Sequence, residues 1–466
     1  MNIQATVRGL GILSICMLSA CAPFGKQSPL EAPTAYSLPQ GQSAHISRAD
    51  WWMQLRNPQL NRLIEQAFAG SPDLRTAKAR FEQAQAQLGI TEAATGAQIG
   101  ASIRGAGVYV SPKPSAQQGD PDHTMVLANA ALQGSWTFDF WGKNRAKIAS
   151  VLGQRRAIAY ETEQIKIELA HAVAAQYFAW QNLTGQQQLL ARRVADAAET
   201  EKLLNQRIRA DLLPASAAYP AVLAQQQLRA QQLQLVRNAA RVRHSLAVLS
   251  GQAPNALDGG SPSASNTAPV LVAADIRADL LGSRPDIAAQ RALLASRLQN
   301  VQAARAEFYP NIELKLLAGF AHIDAFNLVH GKNSGMLGVL PALNLPIFTS
   351  GALQSGLAAR HAEYNQQVAL YDQTVLNAMR SAADAVSDYQ TLQGQAALQQ
   401  RAASVAEKAA AATQRRMRAG LDNKLAYLQK HDEALQVQMQ LVQTQNEWLT
   451  AWSNLHAQLG GGFQAE

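Results

Sequence analysis

Residues 132–146, LQGSWTFDFWGKNRA, decide the fold. Leu132, Gly134, Trp136, Phe138 and Phe140 alternate with Gln133, Ser135, Thr137 and Asp139, the period-two pattern of a strand with one apolar face. From Lys143 onward a very long stretch reads as helix, with almost no turn between the two. An aromatic-rich strand that runs straight into a long helix calls for an architecture that needs both.

The bulk composition narrows the choice. Only 16% of the 466 residues are charged and 6% aromatic, while Ala, Gln and Leu crowd the long segments, which favours helix. The net charge is +8, but Lys and Arg are spread thinly along helical faces, without the basic tract or aromatic interleaving that nucleic-acid binding needs. At the N-terminus, Arg8 precedes an apolar run from Gly9 to Ala20, too short to span a bilayer as a stable helix and suited to a signal peptide over 1–20. It ends Leu18-Ser19-Ala20-Cys21, which resembles a bacterial lipobox. That resemblance implies lipid (palmitate) attachment at Cys21, and Ala22 in place of Asp implies the outer membrane. Cleavage would remove Cys16 and leave one cysteine, hence no internal disulfide. No other stretch reaches 18 continuous apolar residues, so any membrane crossing falls to strands.

The chain is written twice. Ser71-Pro72-Asp73-Leu74 answers to Arg284-Pro285-Asp286-Ile287 at an offset of 213. Further on, Leu183-Thr184-Gly185-Gln186 answers to Leu392-Gln393-Gly394-Gln395 and Arg207-Ile208-Arg209-Ala210 to Arg416-Met417-Arg418-Ala419, now at 209. The expected organisation is a lipid-anchored extended segment (21–49), a first repeat (50–251), a linker (252–274) opening on QAPNALDGGSPSASNTAP, a second repeat (275–460) and a tail (461–466). The first repeat should carry a helix at 71–95, strands at 97–110 and 125–140, and helices at 143–210 and 216–250. The second should carry a helix at 284–308, strands at 310–322 and 336–348, and helices at 352–419 and 424–459. A helix near 50–70 precedes them.

All four strands alternate apolar with polar, although Pro341 sits awkwardly inside the last. Such alternation suits a half-buried soluble sheet or a membrane barrel wall. Leu228, Leu235, Val242 and Leu249 recur every seven residues, as do Leu428, Leu435, Val442 and Leu449, which suits helix-on-helix packing. Four strands cannot close a barrel, for which about eight is the practical minimum, and lipid tolerates no open sheet edge. Several copies must close it together.

These residues resemble the outer-membrane factor family of TolC/OprM-like channels, in its NodT-type efflux lipoprotein branch. The resemblance is carried by Asp50-Trp51-Trp52, Asn57-Pro58-Gln59-Leu60, DFWGKNRA (139–146), SRPDIAAQRALLASRLQNVQAARAEFYPNIEL (283–314) and NLPIFTSGAL (344–353). It implies a mainly α protein with a small β-barrel contribution: a homotrimer whose protomers each give four transmembrane strands to one twelve-stranded barrel and helices to a long periplasmic α-barrel. It implies an exit duct of a tripartite efflux system for small toxic compounds or drugs, with a periplasmic adaptor (membrane fusion) protein and an inner-membrane efflux pump as partners. A duct for type I protein secretion is the alternative. Trp136, Phe138, Phe140 and Trp141 would form the girdle at the membrane interface, and Gly142 would let the backbone swing into the tunnel helix.

The helix–helix turns QRIRADLLPAS (206–216) and QRRMRAGLDNK (414–424) would form the periplasmic aperture and dock the adaptor. Their candidate residues are Arg207, Arg209, Asp211 and Leu212 in one turn, and Arg416, Arg418, Gly420, Leu421 and Asp422 in the other. The arginines also suit the helix dipole. Ala426 and Gln429 stand where TolC-like members often carry aspartates, so the family's acidic ring is not expected here. No HExxH, cysteine pair or phosphate loop is present, and no enzyme, metal or cofactor is expected. His322, Asp324 and His330 cluster in a stretch that reads as a solvated loop.

Overall fold

The computed structural model describes residues 24–25, 27–35, 49–110, 123–263, 283–323 and 335–464. Cys21, the signal segment, Asp324, His330 and the linker beyond Ser263 lie outside the described residues. After a 3-10 turn at Trp51–Leu55 come α1 (Pro58–Gly70), α2 (Pro72–Thr95), β1 (Gln98–Val110), β2 (His123–Phe138), α3 (Lys143–Arg209) and α4 (Tyr219–Leu249). The second repeat follows as α5 (Pro285–Ala306), β3 (Asn311–Ile323), β4 (Gly335–Asn344), α6 (Ala352–Arg418) and α7 (Lys424–Gln458). The two long helices, α3 and α6, have 67 residues each, or about 100 Å at 1.5 Å per residue. Among the described residues no helix is long and apolar enough to cross a membrane. The chain divides into two compact units, one of residues 1–33, 81–158 and 290–371, the other of 34–80, 159–289 and 372–466.

In the first unit the strands form one antiparallel sheet in the order β1-β2-β3-β4. Ile99 pairs with Gly134, Gly134 with Leu316 and Leu316 with Val339. With a side-chain period of two, this register puts Ile99, Ile103, Leu132, Trp136, Leu314, Leu337 and Leu343 on one face. The opposite face carries Gln98, Ser102, Arg104, Gln133, Ser135, Glu313 and Lys315, interrupted by Leu317 and Leu340. The apolar face is bare: Ile103 is 87% and Leu337 86% exposed. Pro341 falls in β4 opposite Leu314, and within one chain β4 is an edge strand.

Two strands end earlier than their alternation suggests. β2 stops at Phe138, not Phe140, because the Asp139 carboxylate turns to accept the Asn144 and Arg145 amides at 3.0 and 2.9 Å. Burial would raise the Asp139 carboxyl, but the Arg145 and Asn144 amides and the Arg145 guanidinium outweigh it and hold it below its usual value. The anion thus caps the start of α3, where the helix dipole favours it. β4 stops at Asn344, before Pro346. Gly142 and Gly351, one in each strand-to-helix junction, adopt φ of 76° and 83°, a left-handed turn that glycine makes at no steric cost. Below the sheet, Val301, Phe308, Leu357, Tyr364 and Val368 form a core. The N-terminal segment runs along α6, where Asn365 donates to the Pro29 carbonyl and accepts from the Glu31 amide, both at 3.0 Å.

The second unit is helical. Asn57 caps α1 by accepting from the Gln59 and Leu60 amides at 3.1 Å, and its own amide reaches the Tyr177 hydroxyl at 3.0 Å. Trp51 stacks on His456 (5.6 Å, 6°) and meets Trp452 edge-on at 5.4 Å, which gives the Asp50-Trp51-Trp52 motif its structural purpose. Arg284 is buried, chelates Asp286 at 3.0 and 2.8 Å and donates to the Gln458 carbonyl. The start of the second repeat is therefore tied to the end of α7.

Both repeats close in the same way. α4 ends with Gly251 at φ 74°, whose amide donates to Val248 O while the Gln252 amide donates to Ala247 O, both at 2.9 Å. α7 ends with Gly460 at φ 86°, with amides 460 and 461 donating to Ala457 O and His456 O at 3.1 and 2.9 Å. Each is a Schellman cap. A Cβ on Gly251 would lie 2.7 Å from the Gly70 backbone, and one on Gly460 would overlap the Ser283 carbonyl oxygen. Gly70 and Ser283 are themselves equivalents at the offset of 213.

Candidate functional site: the helical tips

The turns at 210–218 and 419–423 belong to the second unit. In the first, the Leu212 amide donates to Arg207 O at 2.9 Å and the Asp211 amide to Ile208 O at 3.0 Å. In the second, Leu421 donates to Arg416 O at 2.9 Å and Gly420 to Met417 O at 3.0 Å. The two tips share one Schellman cap in register, so Asp211 is the counterpart of Gly420, with φ of 57° and 73°. An aspartate in this left-handed position is strained where glycine is not. Asp211→Gly is expected to raise stability by about 1 kcal/mol, read as a higher urea midpoint, and Gly420→Asp to lower it by a similar amount.

Leu212 and Leu421 protrude from the turns, 71% and 67% exposed. Arg416 pairs with Asp422 across its own turn, Nε to Oδ2 at 2.6 Å. That hydrogen bond holds the Asp422 carboxyl below, and the Arg416 guanidinium above, its usual value. Arg207, Arg209, Asp211 and Arg418 are exposed and make no side-chain ion pair with the described residues, so no bridge joins one tip to the other. Ala426 and Gln429 carry no charge; the Ala426 amide is capped by Asn423 Oδ1 at 2.9 Å. After the 3-10 turn Ala215–Ala218, α4 begins only at Tyr219, three residues later than its periodicity suggests, because Pro214 and Pro220 leave the intervening amides to a tighter turn.

Sequence reasoning missed the ladder just behind the tips. Arg193 grips Asp432 at 2.7 and 3.2 Å, Asp196 meets His431 Nδ1 at 2.6 Å, and Glu199 pairs with Lys424. These rungs join α3 to α7. Burial raises the Asp196 carboxyl, with the His431 hydrogen bond working against it, whereas the Lys424 bond lowers Glu199. Arg193, Asp196, Glu199 and Lys202 recur every third position with mixed sign, a stripe that passes for a solvated face when one helix is read alone. Beside the ladder lies a groove of 480 Å³ floored by Leu228 and Leu428 and edged by Asp196, Thr200, Gln429 and Asp432.

At the sheet end, Trp136 and Phe138 touch at 4.4 Å and Phe138 and Phe140 at 5.8 Å. Trp141 instead stacks on Tyr309 at 4.7 Å and donates its indole N–H to Pro310 O at 2.9 Å. Trp136, Phe140 and Trp141 are 45%, 62% and 51% exposed.

An apolar-faced sheet continuous with paired long helices defines a strand–helix channel subunit. The family model described as outer membrane efflux protein matches residues 63–252 and 276–461, one match per repeat. Among curated relatives, the multidrug resistance outer membrane protein MdtP of Escherichia coli K12 is 28% identical over 97% of this chain and 95% of its own. The putative multidrug resistance outer membrane protein MdtQ of the same strain is 28% identical over 97% of each. Among solved structures, the outer membrane protein VceC of Vibrio cholerae superposes with a TM-score of 0.79 at 28% identity, covering 90% of this chain and all of that one. The CmeC outer membrane channel of Campylobacter jejuni gives 0.82 at 20% identity over 94% and 95%. The chain belongs to the outer membrane efflux protein family. It is an outer-membrane efflux channel subunit, internally duplicated and mainly helical.

Proposed function

We infer that the protein is the exit duct of a tripartite efflux system, a homotrimer that moves small toxic compounds or drugs across the periplasm and outer membrane. The observation that carries this is the sheet: its apolar face is bare and both edge strands, β1 and β4, are open. Lipid tolerates neither open edges nor unpaired backbone groups, so copies must complete the wall, apolar face outward and polar face to the lumen. Trp136, Phe138, Phe140 and Trp141 would sit at the interface, and Cys21 would hold the lipid anchor.

A periplasmic adaptor would dock at the tips, on Leu212, Leu421 and the groove beside the ladder, and an inner-membrane pump would supply the energy. The relatives' names favour drug export over protein secretion. Docking would shift a closed–open equilibrium by binding the open tips more tightly.

The test is single-channel conductance in planar bilayers, for the wild type and a variant with Arg209, Asp211, Arg418 and Asp422 neutralised. The expected result is a small current that rises in the variant by about tenfold or more, a shift of about 1.4 kcal/mol in the opening equilibrium. Unchanged conductance would move the gate away from these residues, and no conductance at all would overturn the duct.

A further inference from the structure

The duplicated chain makes only one of the two seams that a closed ring of repeats requires. Within each repeat the long helix lies beside its shorter partner: α3 and α4 line one groove through Leu204 and Leu228, and α6 and α7 are joined by Gln414–Tyr427 and Gln438–Glu407 hydrogen bonds. Between repeats, α3 packs on α7: a Cβ at Gly185 would lie 3.2 Å from Val442 Cγ1, and Asp196 meets His431. Among the described residues no hydrogen bond or ion pair joins the equivalent seam, α6 against α4.

We propose that it is made with the α4 helix of a second copy, in a register that the repeat itself fixes. This rests on the assembly reading above and adds the contacting surface, its pairing and its chemistry. The offset of 209 carries Gly185 to Gly394 (185 + 209) and Val442 to Leu233 (442 − 209). It carries Asp196 to Val405 (196 + 209) and His431 to Val222 (431 − 209).

All four target positions are uncovered. Leu233 is 73%, Val405 66% and Val222 36% exposed, and a Cβ at Gly394 would meet nothing within 4 Å. In this register Leu233 of one copy fills the notch at Gly394 of the next, and Val222 faces Val405. Apolar side chains on a soluble helix face are stabilised by being covered, and the mapped partner of each is small or apolar.

The chemistry of the two seams differs. Where α3 and α7 are joined by ion pairs, the rung Asp196–His431 maps to Val405–Val222 and the rung Arg193–Asp432 to Ala402–Leu223. The third rung, Glu199–Lys424, maps to Lys408–Ala215, so the seam between copies is apolar at two of the three levels where the seam inside the chain is ionic, and carries one lone cation at the third. Burial drives it, and salt screens it little.

The sheet obeys the same transformation. Gly134 pairs with Leu316 between the repeats; 134 + 209 gives Leu343 and 316 − 213 gives Ile103. Leu343 of β4 should then lie opposite Ile103 of β1 in the next copy. Both are exposed and on the apolar face, so an exposed edge pairs with an exposed edge in phase.

Cysteine pairs test the register, in full-length protein extracted from outer membranes after oxidation with copper phenanthroline. Leu233→Cys with Gly394→Cys, and separately Val222→Cys with Val405→Cys, are expected to give a reducible ladder that ends at three copies. Val222→Cys with Leu398→Cys, two helical turns out of register, should give none. Gly185→Cys with Val442→Cys should close within one chain and establish that oxidation reaches these helices. Cross-linking of the mismatched pair, or silence of both matched pairs while the intrachain control closes, overturns the register. Sedimentation of the wild type separates the two ideas: a lone chain would sink the assembly reading, whereas a trimer that cross-links out of register would sink only this one.

Discussion

Gly460→Ala and Gly251→Ala are each expected to lower stability by about 3 kcal/mol or more. Two costs combine. At φ of 86° and 74° an alanine sits in the left-handed region, which costs an L-residue about 1–2 kcal/mol. The added methyl also drives into backbone, the Ser283 carbonyl or the Gly70 chain, and overpacking of that kind costs about 1–3 kcal/mol. Backbone on both sides leaves no flexible side chain to move away. Gly89 is the control: it is helical, and a Cβ there meets nothing within 4 Å. Gly89→Ala should stabilise by about 0.5–1 kcal/mol through helix propensity. Urea midpoints of detergent-solubilised protein, followed by tryptophan fluorescence, would read both signs.

Trp51→Ala is expected to cost about 4 kcal/mol at neutral pH, because Trp51 is 1% exposed and joins the N-terminal turn to Trp452 and His456. The same variant should respond differently to acid. Burial depresses His456 from 6.5 to about 4, so its neutral form is the one the fold accepts. The stability is fully present above pH 6.5 and falls as the pH drops toward 4, since the unfolded chain takes up a proton that the folded chain refuses. The difference is about 3 kcal/mol at 1.36 kcal/mol per unit. His171, also pushed down by burial, acts in the same direction. In Trp51→Ala the ring gains solvent and the acid limb should flatten. If wild type and variant lose stability in parallel between pH 7 and 4, His456 is not the responsible group.

Much of this architecture was legible because it rests on periodicity. The apolar faces of the strands follow from their alternation alone, and the register only aligned them. The duplication was legible through Ser71-Pro72-Asp73-Leu74 with Arg284-Pro285-Asp286-Ile287 and through the Arg-x-Arg tips, and the matching Schellman caps at Gly251 and Gly460 repeat it in the structure. What escaped depended on partners distant in sequence. Asp139 fits the strand pattern as an outward polar residue, and only the amides of Asn144 and Arg145 reveal it as a cap. The Arg193–Asp432 and Asp196–His431 rungs pair residues more than two hundred positions apart, so neither helix alone betrays them. Asp211 in a left-handed turn could be read only by trusting its counterpart, Gly420.

The abutment of Gly70 with Gly251, and of Ser283 with its own partner Gly460, bears on how such a gene could arise. A segment whose first and last residues touch can be copied in tandem without any new path for the chain: the duplicate needs only a tether. The connector that opens at Gln252 is that tether in the sequence. An ancestral gene encoding a single repeat would have met the same geometric demands with twice as many subunits. In the proposed assembly, fusion would have halved the number of interfaces left to diffusion and let the seam inside the chain acquire charge while its counterpart stayed mostly apolar.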